Sequence, residues 1–139
     1  MEIINLPADL QLFYIQADSF PHGVMKAFQG LHALFSSPKD RKYYGISHSS
    51  ESGAIIYKAA VEESYAGEAE EKHCKKFVVP KGPYLSLLLK DWRKDEMIIG
   101  KTFQKMLTDP RIDKKGFCLE EYINEKDVRC MVKLDPEKL

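Results

Sequence analysis

Val78-Val79-Pro80-Lys81-Gly82-Pro83-Tyr84 is the stretch on which the reading of this chain turns. Two β-branched residues run into a Pro-x-Gly-Pro bend, and the chain resumes at a tyrosine. Proline lacks a backbone donor and glycine reaches conformations closed to other residues, so a strand over 74–79 enters a bend and a second strand, 84–90, leaves it. About one helix later, Phe117-Cys118-Leu119-Glu120-Glu121-Tyr122 places Glu120 and Tyr122 two apart, on one face of a further strand. A carboxylate beside aromatic rings on a sheet face suits an apolar or cationic small molecule.

Working outward, Leu10–Ala17 is rich in aromatic and β-branched residues and predicts a strand. Asp18-Ser19-Phe20-Pro21 is a helix-start signal, and Val24, Phe28, Leu31 and Phe35 recur at helical spacing until Ser36-Ser37-Pro38. A hairpin is expected over 43–48 and 54–62, and 63–72 reads as a polar connection. Asp95 caps a second predicted helix bearing Ile99, Phe103, Met106 and Leu107, which stops before Pro110. A last hairpin runs over 117–123 and 128–134, around a four-residue loop, Asn124–Asp127.

Strand, helix and hairpin thus occur twice, over about 8–64 and 72–137, within one domain spanning 1–139. The expected fold class is α+β: a duplicated module forming an antiparallel sheet, two helices on one face and an open, concave face with a ligand cleft on the other. A four-residue loop in the last hairpin pairs Ile123 with Val128 and Glu120 with Met131. Period-two alternation then puts Leu119, Cys130 and Val132 toward the helices, and Glu120, Tyr122, Arg129, Met131 and Lys133 on the open face. A slip of one residue would exchange Glu120 for Glu121.

Lysine plus arginine and aspartate plus glutamate each number 21, giving zero net charge. That argues against direct nucleic-acid binding, which favours a basic face. Cys74, Cys118 and Cys130 form no Cys-x-x-Cys motif, and no basic, apolar leader is evident, so reduced thiols in a cytoplasmic protein are expected. No segment approaches the roughly 20 apolar residues of a membrane span.

These motifs, in this order, resemble the GyrI-like (gyrase-inhibitor-like) small-molecule-binding domains, which also occur as effector-binding domains of AraC-type and MerR-type multidrug regulators. Val79-Pro80-Lys81-Gly82-Pro83-Tyr84 is similar to the family's Pro-x-Gly-x-Tyr turn, and Leu119-Glu120-Glu121-Tyr122 to its Glu-x-Tyr strand. Tyr43–Ser47 and Ile56–Ala59 fall where its first hairpin belongs, and Val132–Pro136 resembles its terminal strand. The resemblance spans roughly 8–137. It implies a ligand cleft with Glu120 as the pocket glutamate and Tyr84 as the pocket tyrosine. The regulators carry a helix-turn-helix domain ahead of this one, whereas here the first module opens the chain, so a stand-alone binder is expected.

Beside Glu120 and Tyr84, the candidate ligand-binding residues are Tyr122, Trp92, Met131, Tyr43 and Tyr57. The plainer reading of Glu120 is an exposed carboxylate paired with Arg129 or Lys133. Tyr43 and Tyr57 could equally point toward the helices, and Trp92 could simply cover the helix start. His22, His32, His48 and His73 show no metal spacing, no phosphate-cradling or dinucleotide motif is present, and no cofactor is implied. The acidic run Glu68–Glu71 reads as solvated, and Cys130 as core. The leading function is binding or sequestration of apolar or cationic aromatic compounds. One alternative is a hydrolase opening cyclopropane-bearing alkylators, with Glu120 activating water; another is a protein-interaction module such as an inhibitor of DNA gyrase. Oligomeric state is open.

Overall fold

Gly82 stands at φ +127°, a conformation costly for any residue with a Cβ, and near it the chain passes from one compact unit to another. The computed structural model describes residues 1–139. In chain order its elements are β1 (Glu2–Leu6), β2 (Leu10–Gln16), α1 (Val24–His32), β3 (Tyr43–Ser49), β4 (Ile55–Glu62), α2 (Glu68–Glu71), β5 (Lys75–Val79), β6 (Gly82–Leu89), α3 (Ile98–Met106), β7 (Cys118–Tyr122) and β8 (Val128–Lys133). The class is α+β with antiparallel pairing, and strand, helix and hairpin occur twice, as β2-α1-β3-β4 and β6-α3-β7-β8.

One unit is Asp9–Val79, with strands in the order β3-β4-β2-β5. The other joins Met1–Ala8 to Pro80–Leu139, in the order β1-β6-β8-β7. This differs from a simple cut between residues 64 and 72. β5 pairs with β2, and so stays with the preceding half. β1, which the sequence reading did not anticipate, crosses to pair with β6, Ile4 opposite Tyr84. Each unit thereby gains a fourth strand that its own strand-helix-hairpin module does not supply.

In the Asp9–Val79 unit, Ala27 and Leu31 lie one helical turn apart on α1 and pack on Phe13, Ala59 and Val61. In the other unit Phe103 and Met106 of α3 cover Leu85, Cys130 and Val132, with Ile112 and Leu134 completing the cluster. Side chains of this size contribute about 1.5–3 kcal/mol each when fully buried.

The connection over 63–72 is not the solvated acidic run expected of it. Gly67, at φ +93°, precedes the single turn of α2, and Glu68 on that turn is 2% exposed. Arg41 clamps it with two bonds, Nη2 to Oε1 at 2.7 Å and Nη1 to Oε2 at 2.9 Å, while Arg41 also donates to the Glu62 carbonyl. The Ser64 backbone N–H adds a third bond to the carboxylate at 2.8 Å. The hydrogen bond from Arg41 holds the Glu68 carboxyl below its ordinary range and raises the guanidinium in turn.

The register of the last hairpin also departs from expectation. Asn124 Oδ1 accepts from the Lys126 and Asp127 backbone N–H groups, at 2.8 and 2.9 Å, and Ile123 N–H bonds the Asp127 carbonyl across three loop residues. An asparagine closing the turn with its own side chain shortens the loop by one residue. Tyr122 therefore pairs with Val128, Glu120 with Cys130 and Leu119 with Met131, and every β7 side chain changes face relative to β8.

Candidate functional site

Residues directly opposite one another in an antiparallel pair share a face. Glu120, opposite Cys130, therefore lies on the α3 side of the sheet, the reverse of the expected placement. Glu120 is 6% exposed and accepts a hydrogen bond from the Tyr122 hydroxyl. Its nearness is felt by Cys130, whose thiol is pushed up to about 12, first by burial and next by the Glu120 charge. Glu121 takes the other face, where its carboxylate lies 3.6 Å from Arg129, so the pairing with Arg129 considered for Glu120 belongs to its neighbour.

Trp92 reaches the same corner by a backbone device. Asp91 adopts the left-handed conformation (φ 52°, ψ 43°), which aspartate tolerates better than most residues, and its N–H donates to Asp127 Oδ1 at 3.2 Å. Trp92 N–H then bonds the Lys126 carbonyl at 3.1 Å, and Arg93 Nε the Glu125 carbonyl at 3.1 Å. Three tethers thus fasten the segment after β6 to the β7–β8 turn, and the indole lies 6.1 Å from the Tyr122 ring, tilted by 59°. The Arg93 guanidinium rests over the indole at 4.7 Å. The Trp92 Nε1 atom is buried without a hydrogen-bond partner, which costs on the order of 1–3 kcal/mol. Asp95 is not the helix cap expected of it: the N-cap position is Met97, without a side-chain capping bond, and Asp95, two residues earlier, accepts from Met97 N–H at 3.0 Å before the helix begins at Ile98.

Of the sequence-derived candidates, Trp92, Glu120 and Tyr122 come together. Tyr84 and Met131 do not join them. They share the opposite face of the same sheet, where Tyr84, Ser86, Leu119 and Met131 are 0–1% exposed, so at these positions the expected open face is closed. Tyr84 spends its hydroxyl on the Pro80 carbonyl at 2.7 Å, fastening the Pro-x-Gly bend, and Lys133 lies over its ring at 5.6 Å. Tyr43 and Tyr57 belong to the Asp9–Val79 unit and face α1. Tyr43 donates to the Pro38 carbonyl and meets His32 at 4.6 Å, while Tyr57, 2% exposed, stacks on Phe20 at 5.7 Å and meets Phe28 edge-on.

Sequence reasoning missed Asp91, Arg93 and Asn124, which set the Trp92–Tyr122 corner. A readable signal existed: aspartate and asparagine are the residue types that close turns with side chains and enter left-handed backbone. It also missed a cavity of about 410 Å³ between Phe35, Arg41, Tyr65, Glu68 and Lys72. Its charges are already committed, since Arg41 both clamps Glu68 and lies over the Phe35 ring at 4.2 Å. No three His, Cys, Asp or Glu side chains converge as a metal site, and no helix is long and apolar enough to cross a membrane.

No protein-family model matches the chain, and no curated protein matches it in sequence. Solved structures do share its fold. An integron cassette protein from the mobile metagenome of Vibrio cholerae aligns over 96% of this chain and 95% of its own, at 13% identity and a TM-score of 0.69. A hydrolase from Listeria innocua aligns over 96% of this chain and 90% of its own, at 13% identity and a TM-score of 0.63. SAV2435 bound to tetraphenylphosphonium aligns over 99% of this chain and 94% of its own, at 11% identity and a TM-score of 0.62. At such identities the likeness is one of fold.

Proposed function

We propose that this chain binds small cationic aromatic molecules, in the manner of GyrI-like domains, at the corner built by Trp92, Glu120 and Tyr122. The observation that carries the reading is Glu120 itself. A carboxylate only 6% exposed, on the face of Cys130, Val132 and the apolar side of α3, is held by the Tyr122 hydroxyl, and the Tyr122 ring in turn lies 6.1 Å from the Trp92 indole. A carboxylate in so apolar a setting attracts a cation more strongly than one in water. Aromatic faces attract cations through their ring quadrupoles, and the indole already does so for Arg93 at 4.7 Å. The fold-level neighbour that holds tetraphenylphosphonium, a lipophilic aromatic cation, supports the same ligand class.

The test uses the single tryptophan of the chain as its probe. Titration with tetraphenylphosphonium is expected to change Trp92 emission saturably, and a neutral triarylphosphine oxide to bind more weakly. No saturable change with any lipophilic aromatic cation would remove the proposal.

A second reading is favoured by the Tyr122 hydroxyl on Glu120. A carboxylate beside a proton donor can serve as a general base toward water, opening a cyclopropane-bearing electrophile, and one fold-level neighbour is a hydrolase. Mass spectrometry for the water adduct of such a compound decides it: a rate equal to that of buffer alone excludes the enzyme.

A further inference from the structure

Lys58 sits on β4, among the four strands of the Asp9–Val79 unit, on the face turned away from α1, opposite Ile46 on one side and Gln16 on the other. It is half-buried. Its Nζ lies 2.9 Å from His48 Nε2, 5.0 Å from the centre of the Tyr14 ring and 5.2 Å from that of Phe77. Four strands therefore converge on one amine: His48 from β3, Lys58 from β4, Tyr14 from β2 and Phe77 from β5. Most lysines on this chain's surface extend into water, whereas this one lies in a slot with two aromatic walls and an imidazole at its end.

We propose that Lys58 is a reactive amine that captures aromatic aldehydes as imines, with His48 managing the proton and the Tyr14 and Phe77 rings receiving the ring of the aldehyde. The site lies on a different unit from the Trp92–Glu120–Tyr122 corner and does not rest on the ligand reading above.

The chemistry follows from the arrangement. Neutral Nζ attacks the carbonyl carbon, forming a C–N bond as the C=O π pair moves to oxygen. The Nζ proton passes to His48 Nε2. His48 delivers it to the alkoxide oxygen, giving the carbinolamine; the hydroxyl then leaves as the nitrogen lone pair forms the C=N bond, and the second Nζ proton, passed through His48 Nε2, turns it into water. Amine and aldehyde give imine and water, with no net change in oxidation state and no further reactant. An amine is nucleophilic only when neutral, and burial and a neighbouring positive charge favour that form against the pull of the two rings on the ammonium. Burial is the larger cause that lowers its pKa, and the nearby positive charge of Lys75, which lies opposite Tyr14 on β5, adds to it. Of the other groups on this face, Gln16 lies opposite Lys58 itself, and Glu62 lies four residues along β4, opposite Leu12.

The full chain is incubated at pH 7 with limiting benzaldehyde and sodium cyanoborohydride, which traps imines as stable benzyl amines, and labelled sites are mapped by peptide mass spectrometry. Lys58 is expected to label several-fold faster than Lys26, whose side chain is 83% exposed. His48→Gln is expected to slow Lys58 labelling while leaving Lys26 unchanged. The Lys58 advantage is expected to shrink with propanal, which has no ring to seat between Tyr14 and Phe77. Labelling of Lys58 no faster than Lys26 in the unsubstituted chain overturns the proposal, whatever the variants do. An advantage that persists in full in His48→Gln and with propanal also overturns it, because the imidazole and the rings would then play no part.

Discussion

Replacing Glu120 by glutamine changes one property of the Trp92 corner and leaves the rest in place. The two side chains have nearly the same shape, and the glutamine Oε1 still accepts from the Tyr122 hydroxyl as the carboxylate does. What disappears is one negative charge, 6% exposed. A cation whose charge centre comes within about 5 Å gains roughly 3 kcal/mol from that charge at an effective dielectric near 20. Dehydrating the carboxylate and the ligand offsets part of this, leaving about 1.5–3 kcal/mol. At about 1.4 kcal/mol per decade, Glu120→Gln should weaken tetraphenylphosphonium binding roughly 10- to 100-fold. A neutral phosphine oxide of the same shape should bind both forms alike. The hairpin register supplies an internal control: Glu121→Gln, on the opposite face beside Arg129, should leave cation affinity unchanged. The assay is Trp92 emission at fixed low salt, with calorimetry as a second readout. Unchanged cation affinity in Glu120→Gln refutes the reasoning. So does a loss confined to Glu121→Gln.

Three further outcomes follow from the packing and the charges. Glu68→Gln should destabilise the chain by about 2–4 kcal/mol in urea unfolding, since it leaves the Arg41 guanidinium, 15% exposed, without its carboxylate. Because the folded-state pKa of Glu68 is lowered, the stabilisation from its charge is present above the ordinary carboxylate range and is lost as pH falls through the lowered value. The gap between Glu68→Gln and the unsubstituted chain should therefore narrow in acid, and a gap independent of pH would contradict the clamp. Met106→Ala, at a site 0% exposed against Cys130 and Val132, should cost about 2–5 kcal/mol by leaving a cavity, whereas Met97→Ala, at 66% exposed, should stay within about 0.5 kcal/mol. The Cys130 thiol, pushed up to about 12, should resist iodoacetamide at pH 8 in the folded chain and react once unfolded in urea. Rapid labelling of Cys130 in the folded protein would show that this face of the sheet opens.

Much of the architecture was legible residue by residue. The helical stripe with Phe28 and Leu31, the Phe103 and Met106 pair, and the Pro80–Pro83 bend all stand where periodicity and turn chemistry put them, because these signals are local. β1 was not legible. Glu2–Leu6 is a short strand with mixed exposure whose partner lies some 80 residues away, and nothing local marks such a pairing. Glu68 was misread for a related reason. An acidic run looks solvated until the fold brings Arg41, 27 residues earlier, against it.

What the amino-acid sequence determined by itself was the set of elements, their duplication and the presence of Trp92, Glu120 and Tyr122 as candidates. Alternation along a strand is a property of the covalent chain, so Glu120 and Tyr122 had to share a face. Which face was decided only by the tertiary structure. The Asn124 side chain closes the β7–β8 turn in three residues rather than four, and a shift of one residue in a structure of period two reverses the partners of every side chain. That reversal carries Glu120 to the α3 side and separates it from Tyr84, leaving it bonded to Tyr122, whose ring meets the indole that Asp91 and the turn carbonyls hold in place.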